Sequence, residues 1–201
     1  MRKLTGTISL LIILILGTSF VLKTSKKLPD VCLSKEEVKL FDMINMYRNK
    51  NGLHPIQLSK SMTFVAQTHA KDLSINRPFS KKCNMHSWSQ EGKWTSCCYT
   101  SDHKEATCMW NKPKELTNYK GAGYEISHGF AQFDEFSGDT VTAESALEGW
   151  KESKGHNDVI LNKNIWNNNK WNSIGIGIYR DFACVWFGKE ADIEELPTVC
   201  K

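Results

Sequence analysis

The sequence predicts one mixed α/β domain in which helices pack in layers against a β-sheet. Two stretches with helical spacing come first, a long irregular segment follows, and then a strand, a third helix and a final pair of strands complete the order. The length of 201 residues fits one domain with a sizeable core better than two. We therefore expect a layered α/β or α+β fold.

The first helix is predicted from residue 34 to about residue 49. Ser34 and Glu37 form an S-x-x-E capping box, in which each side chain satisfies the other residue's backbone N–H. The apolar residues that follow lie at helical spacing and end before a glycine; they are Leu40, Phe41, Ile44 and Tyr47. These signals predict a helix with one buried face.

A second helix is predicted over residues 60–73. Its apolar stripe consists of Met62, Val65, Ala66, His69 and Leu73. Because His69 lies within that stripe, we expect a hydrogen-bonded core histidine there rather than a metal ligand.

Residues 77–119 show little periodicity and are predicted to form a long loop cross-linked by disulfides. Four of the seven cysteines lie in this segment, and the full set is Cys32, Cys83, Cys97, Cys98, Cys108, Cys184 and Cys200. A zinc site with the nearby His86 and His103 is an alternative, but the segment has no CxxC motif. Since seven is odd, at least one cysteine stays unpaired within the monomer, and Cys184, within an apolar strand pattern, is predicted to be a free, buried thiol.

The second half of the chain predicts a strand, a helix and a hairpin. The strand covers residues 122–128, and Thr142 caps a helix that runs to about residue 153. The apolar positions of this helix are Ala143, Ala146, Leu147 and Trp150. The hairpin turns at Arg180-Asp181, and glycines on one face of its first strand allow another layer to approach closely.

The N-terminus has the layout of an export signal. Basic residues precede an apolar run at residues 8–22, which is short for a membrane span. We expect residues 1–24 to be a cleaved signal or, alternatively, an uncleaved anchor, followed by a linker at 25–33, a domain at 34–192 and a tail at 193–201. Removing residues 1–24 deletes three basic residues and no acid, which lowers the formal charge from +4 to +1. Nucleic-acid binding is therefore not expected.

Several short motifs, taken together, resemble the CAP superfamily. This is the family of cysteine-rich secretory proteins, antigen 5 and pathogenesis-related proteins, also called the SCP domain. The motifs are Cys83-Asn84-Met85-His86-Ser87, Gly123-Tyr124-Glu125-Ile126, Ser153-Lys154-Gly155-His156-Asn157 and a late Ile-Gly-Ile-Gly strand. The resemblance covers about residues 34–190, and the motif ending in His156-Asn157 is closest to bacterial members.

The resemblance implies a three-layer α-β-α sandwich of the CAP/SCP type with a long disulfide-stapled loop. It also implies a cleft lined by two histidines and two acids, which in some members holds a divalent metal. By position the histidines are His86 and His156. The first acid is Glu125, displaced by one residue relative to the family's Gly-Glu-Asn-Ile element, and a one-residue step in a strand reverses the face of a side chain. Ser153 stands where relatives place the second acid.

Three glutamates near the second histidine are predicted to face solvent. Glu144, Glu148 and Glu152 lie roughly 150° from the apolar stripe of their helix. The alternative is that Glu148 or Glu152 enters the cleft, which requires the helix to end early.

Three functions remain open from the sequence. The leading hypothesis is an exported binding module, rather than an enzyme, that uses its cleft to bind an unknown small molecule, lipid, glycan or protein. A zinc-dependent hydrolase is the alternative, because His86, Glu125 and His156 could hold zinc and leave a position for water. A hydrogen-bonded cluster of the same three residues, in a disulfide-stabilised structural protein of the cell envelope, is the third.

Aromatic residues in or near loops are further binding candidates. These are Trp88, Trp94, Trp110, Trp166 and Trp171, although ordinary packing explains most of them. Residues 162–172 are asparagine-rich and are predicted to form a surface turn. His54, His103 and His128 have no partner that the sequence identifies, so we expect them to be exposed to solvent.

Overall fold

A computed structural model describes residues 26–131 and 135–201 of the chain. The predicted export signal at residues 1–24 lies outside the described residues. Within those two ranges, no helix has the length and apolar character that crossing a membrane requires.

The described elements follow the predicted order. They are β1 (Cys32–Leu33), α1 (Lys35–Lys50), α2 (Lys60–Asn76), α3 (Ala106–Trp110), α4 (Lys112–Leu116), β2 (Gly123–Gly129), α5 (Ala143–Glu152), α6 (Lys154–Ile160), a 3-10 helix (Asn164–Trp166), β3 (Ser173–Tyr179), β4 (Phe182–Gly188) and β5 (Thr198–Val199). The bounds of α1, β2, α5 and the hairpin agree with the sequence predictions to within about two residues, and α2 runs three residues further than predicted.

The sheet has three antiparallel strands in the order β2-β4-β3, so β2 is an edge strand. Helix α2 packs on one face, and α1 and α5 pack on the other. Each face therefore has its own apolar core. The expected three-layer α-β-α arrangement is confirmed.

Two glycines of β3 allow α2 to lie against the sheet. A Cβ atom at Gly175 would be 2.0 Å from the carbonyl carbon of Met62, and one at Gly177 would be 2.2 Å from that of Ala66. Because backbone atoms cannot move aside, only glycine fits at these positions. The predicted role of these glycines is confirmed.

The capping box at the start of α1 also connects two layers. Ser34 and Glu37 exchange the two expected hydrogen bonds. The Glu37 carboxylate is buried, and it also accepts from the backbone N–H of Ile178 in β3 at 3.0 Å. A sequence signal for a helix start therefore also fixes α1 against the sheet.

The segment 77–119 is more regular than predicted, because it contains α3 and α4. Each of these helices is only five residues long, which is too short to produce a periodic pattern in the sequence. Two disulfides hold the rest of the segment, Cys83–Cys98 and Cys97–Cys108. The cysteines of this segment act as staples, as expected, and Cys184 is free and buried among the described cysteines.

The two ends of the described chain are joined to each other. β1 pairs in parallel with β5, and a disulfide links Cys32 to Cys200. Leu28 and Val31, within the predicted linker, are buried. Both terminal segments therefore pack on the domain, and the boundaries predicted at residues 34 and 192 stay a prediction.

Candidate functional site

Strand β2 carries the predicted acid in an unbroken ladder. Its pairing with β4 runs without interruption from Gly123–Gly188 to Gly129–Phe182, so no bulge corrects the one-residue displacement. Glu125 therefore lies on the α2 side of the sheet. Tyr124, which stands where the family has its glutamate, lies on the opposite side.

Glu125 and His69 form a buried pair at the centre of the molecule. The His69 ring stacks on Trp88, with ring centroids 4.3 Å apart, and both of its nitrogens have partners. Nε2 lies 2.9 Å from the carbonyl oxygen of Ser87 and must donate to it, because a carbonyl only accepts. Nδ1 contacts a carboxylate oxygen of Glu125. Two acceptors on one ring indicate an imidazolium paired with a carboxylate.

The second oxygen of Glu125 holds His86. The His86 Nδ1 lies 2.8 Å from Oε2 of Glu125, and the His86 backbone N–H donates to Oδ1 of Asn84 at 2.9 Å. Since the carboxylate accepts from Nδ1–H, Nε2 is the ring nitrogen of His86 that has no hydrogen-bond partner among the described residues. The fixed end of this imidazole is therefore Nδ1, and the available end is Nε2.

The electrostatics of Glu125 follow from these two contacts. Burial by itself would raise its pKa, but His69 and then His86 outweigh burial and lower the pKa to about 2. For His69, burial opposes protonation, yet the adjacent carboxylate raises the pKa of the ring. Glu125 is thus an ionised group with both oxygens engaged.

His156 reaches the same region from a second helix. The helix capped by Thr142 ends near residue 153, as predicted, and extended Ser153, with φ −84° and ψ 109°, separates α5 from α6. Gly155 and His156 lie in the first turn of α6. Helix α6 was not predicted, because a glycine just after a helix resembles a helix end, whereas here Gly155 belongs to another helix.

The imidazoles of His156 and His86 approach each other edge to face. Their ring centroids are 6.5 Å apart and the planes make an angle of 80°. Burial, followed by the proximity of His86, lowers the pKa of His156 to about 4. His156 is therefore neutral at physiological pH.

The predicted site residues are brought together only in part. His86 contacts Glu125 and faces His156. Among the described residues, the three side chains whose possible metal-ligand atoms all lie within 4.8 Å of one another are instead His69, Glu125 and Cys184. No hydrogen bond of the Ser153 side chain to another described residue is present. Glu148 and Glu152 are exposed, as predicted.

Sequence reasoning missed two histidines of this region. His69 is a bonded core histidine, as expected, but its role as the partner of Glu125 was not foreseen. His128 was expected to be exposed, yet it is half-buried, with its ring packed on Trp150, and burial lowers its pKa. The available signal was Gly149 in the middle of a helix, since a Cβ atom there would lie 2.7 Å from the His128 ring.

The residues fit a metal through two imidazoles rather than through the predicted carboxylate. A metal-bound histidine commonly donates its other ring N–H to a carboxylate, and His86 makes that bond to Glu125. His156 is neutral, as a metal ligand must be. Both oxygens of Glu125 already accept from histidines and its side chain has no exposed surface, so it supports His86 rather than offering an open metal position.

Comparisons with known proteins agree with the fold. The family model described as the cysteine-rich secretory protein family, CAP, matches residues 41–185. A Bacillus subtilis protein named uncharacterized protein YkwD is 24% identical over 159 residues, covering 77% of this chain and 46% of the relative. The chain thus spans about half the length of this curated relative.

Two solved structures are also similar. An extracellular protein containing a SCP domain from Bacillus anthracis gives a TM-score of 0.51 at 20% identity, over 77% of this chain and 40% of that chain. An outer surface protein of Borrelia burgdorferi gives a TM-score of 0.49 at 18% identity, over 78% of this chain and 94% of that chain. Since the family model covers well over half of the sequence, the chain belongs to the CAP family, the cysteine-rich secretory proteins.

Proposed function

We propose that this CAP-domain protein is an exported binding module whose cleft receives a small ligand on the imidazoles of His86 and His156. The observation that carries the proposal is the double engagement of Glu125, whose two oxygens already accept from histidines. The buried carboxylate positions His86 and, with a pKa of about 2, is a poor nucleophile and a poor base at neutral pH. The His86 Nε2 and the neutral His156 ring are left for the ligand.

The basicity of the cleft also favours binding over hydrolysis. An efficient general base has a pKa near the working pH, whereas Glu125 has a pKa of about 2 and His156 of about 4. Both groups are therefore weak bases at neutral pH. Ser153, at the position of the family's second acid, supplies no carboxylate to replace them.

Two measurements test the binding proposal. NMR signals of the imidazole Cε1–H groups are followed while a library of small amides, carboxylates and sugars is added, and the same mixtures are checked for product. We expect shifts at His86 and His156 without turnover. Peptidase or esterase activity that is lost in His156→Ala would overturn the proposal. If no fragment shifts either signal, a structural role of the cleft replaces it.

A zinc-dependent hydrolase is the second candidate, favoured by the Nδ1–H bond from His86 to Glu125. A bound zinc ion would lower the pKa of a water molecule and so supply a nucleophile. In that case His86 and His156 would bind the ion, and Glu125 would orient His86. Calorimetry on chelator-treated protein should then show stoichiometric zinc uptake that is lost in His86→Ala and kept in His54→Ala, a change at an exposed histidine. Absence of uptake by the wild type rules this candidate out.

Export is the remaining part of the proposal. Disulfides persist in oxidising compartments, and the described chain has three of them. The Bacillus anthracis protein of similar fold is described as extracellular. Expression of the full chain in a bacterial host, followed by mass spectrometry, distinguishes the two forms: a mature N-terminus near residue 25 indicates a cleaved signal, and an intact chain in the membrane fraction indicates an anchor.

A further inference from the structure

A cluster of aromatic side chains lies at the protein surface beside β2, the edge strand of the sheet. We define the aromatic surface as Trp110 of α3, Tyr124 of β2 and Trp166 of the 3-10 helix, all three half-buried. The ring centroid of Tyr124 is 5.7 Å from that of Trp110 and 5.2 Å from that of Trp166. Trp171 lies buried beneath them.

The seven tryptophans differ in what their indole N–H groups do. Three donate to backbone carbonyls, namely Trp94 to Ser89, Trp150 to Ser127 and Trp171 to Val159. Two are buried without a partner, Trp88 and Trp186. The indole N–H groups of the remaining two, Trp110 and Trp166, have no hydrogen-bond partner among the described residues, and neither group is completely buried. Both N–H groups therefore keep some contact with solvent, and both tryptophans belong to the aromatic surface.

The polar groups around these rings are open and mostly neutral. The Tyr124 hydroxyl has no hydrogen-bond partner among the described residues and is not buried. The side-chain amides of Asn167 and Asn168, just after Trp166, are exposed and likewise unbonded within the described chain. Among the described residues, the charged group that contacts these rings is the ammonium of Lys189, which lies 5.4 Å from the centre of the Tyr124 ring. A ligand would meet ring surface and neutral donors rather than a charged pocket.

This combination selects one class of ligand. Sugar rings with equatorial hydroxyls present C–H groups on their flat faces, which pack on aromatic rings, and hydroxyls at their rims, which bond to N–H, O–H and amide groups. A lipid tail would leave the open donors unpaired, which is unfavourable once they are desolvated. A nucleic acid would require clustered cations. The chemistry therefore matches a neutral polysaccharide.

We propose that Trp110, Tyr124 and Trp166 form a binding site for a β-1,4-linked chain of glucose or N-acetylglucosamine. The site lies at the β2 edge of the sheet, with Tyr124 and Trp166 on the face opposite Glu125 and Trp110 beside the α2-side core. It does not depend on a ligand in the cleft. It includes Tyr124, the residue that stands where the family has its acid. In this chain the one-residue displacement of the acid therefore has a second consequence, because it places an aromatic ring on that face.

The test uses the indole N–H signals of the full exported chain labelled with ¹⁵N-tryptophan. Hexamers of β-1,4-linked glucose and of β-1,4-linked N-acetylglucosamine are titrated separately. With at least one of them we expect the signals of Trp110 and Trp166 to shift together, while those of Trp94 and Trp150 stay in place. If neither hexamer shifts the first pair, or if all the signals shift equally, the proposal is wrong.

Matched substitutions extend the test to affinity. Trp166→Ala should weaken binding of the hexamer at least tenfold, whereas Trp94→Ala, at a half-buried tryptophan whose N–H is already bonded, should leave it unchanged. Equal losses in both variants would overturn the proposal, as would phospholipid vesicles that bind through Trp166 when the hexamers do not. His86→Ala and His156→Ala should retain hexamer binding, so failure here is distinguishable from failure of the cleft proposal.

Discussion

Polar side chains on the two faces of strand β2 differ in burial and in hydrogen bonding. On the α2 side, Glu125 is buried and both of its oxygens are hydrogen-bonded. On the other side, the hydroxyl of its neighbour Tyr124 has no partner among the described residues. A buried polar group must be bonded to be tolerated, whereas a group open to water costs little and remains available to a ligand. We therefore expect changes on the first face to affect stability most, and the proposed ligand contacts the second face.

The largest expected effect comes from removing the buried acid. Glu125→Ala leaves Nδ1 of His69 and Nδ1 of His86 without their acceptor, and loss of one member of a buried ion pair costs roughly 3–5 kcal/mol. Urea unfolding should show a loss of stability of that size. Glu152→Ala, at an exposed acid of α5, is the control and should change stability by less than about 0.5 kcal/mol.

An isosteric change separates charge from hydrogen bonding at the same position. In Glu125→Gln the amide can donate to Nδ1 of a neutral His69 while its oxygen accepts from His86. We expect this variant to recover most of the stability lost in Glu125→Ala. If both variants are equally destabilised, the charge of Glu125 matters more than its hydrogen bonds.

The next effect is a dependence of stability on pH in metal-free protein. The pKa of His156 is about 4 in the folded chain and 6.5 without the fold, so its contribution is complete above pH 6.5 and is lost as the pH falls from 6.5 to 4. The pKa of Glu125 is about 2 against an ordinary 4.5, so its contribution is lost as the pH falls from 4.5 to 2. Each loss is on the order of 3 kcal/mol.

Unfolding curves across this range, recorded with a chelator, should separate the two groups. His156→Gln removes the loss between pH 6.5 and 4 and leaves the loss below pH 4.5. Parallel curves for the variant and the wild type would show that His156 is not buried as described.

The sequence predicted the fold well because local signals determine most of it. The capping box at Ser34, the helix cap at Thr142 and the paired glycines of β3 each have one physical explanation, and each is present in the structure. The short helices α3 and α4 were missed because five residues do not complete two helical turns. Helix α6 was missed because it begins without a side-chain cap.

The site was harder to predict because its members meet only in three dimensions. The family resemblance proposed His86, Glu125 and His156 as site residues, but it did not show that Glu125 bonds His69 as well as His86. That contact depends on the side of the sheet on which Glu125 lies, and the unbroken pairing of β2 with β4 settles the side. The sequence shows that side chains alternate between the two faces of a strand, but which set of side chains faces α2 depends on the tertiary structure.

A smaller effect is expected where α5 covers His128 on the face of β2 opposite Glu125. A Cβ atom at Gly149 of α5 would lie 2.7 Å from the His128 ring, which can move only partly. Gly149→Ala should therefore lose about 1 kcal/mol, although alanine is the better helix former. In a His128→Ala background the same change should instead stabilise the protein by roughly 0.5–1 kcal/mol. Thermal unfolding of the four proteins measures this reversal, and effects that simply add would show that the ring and the helix do not meet.

The smallest effect is the sharpest check of the comparison between the two faces. Tyr124→Phe removes one hydroxyl from the residue next to Glu125, and because that hydroxyl has no partner among the described residues, stability should change by less than about 0.5 kcal/mol. The ring contacts with Trp110 and Trp166 are retained in this variant. Urea unfolding of Tyr124→Phe and Glu125→Ala, measured side by side, therefore compares the loss of an unbonded hydroxyl with the loss of a hydrogen-bonded carboxylate at neighbouring positions. A loss above about 1 kcal/mol would mean that the hydroxyl is bonded within the folded chain, and the aromatic surface would then have one donor fewer to offer a sugar.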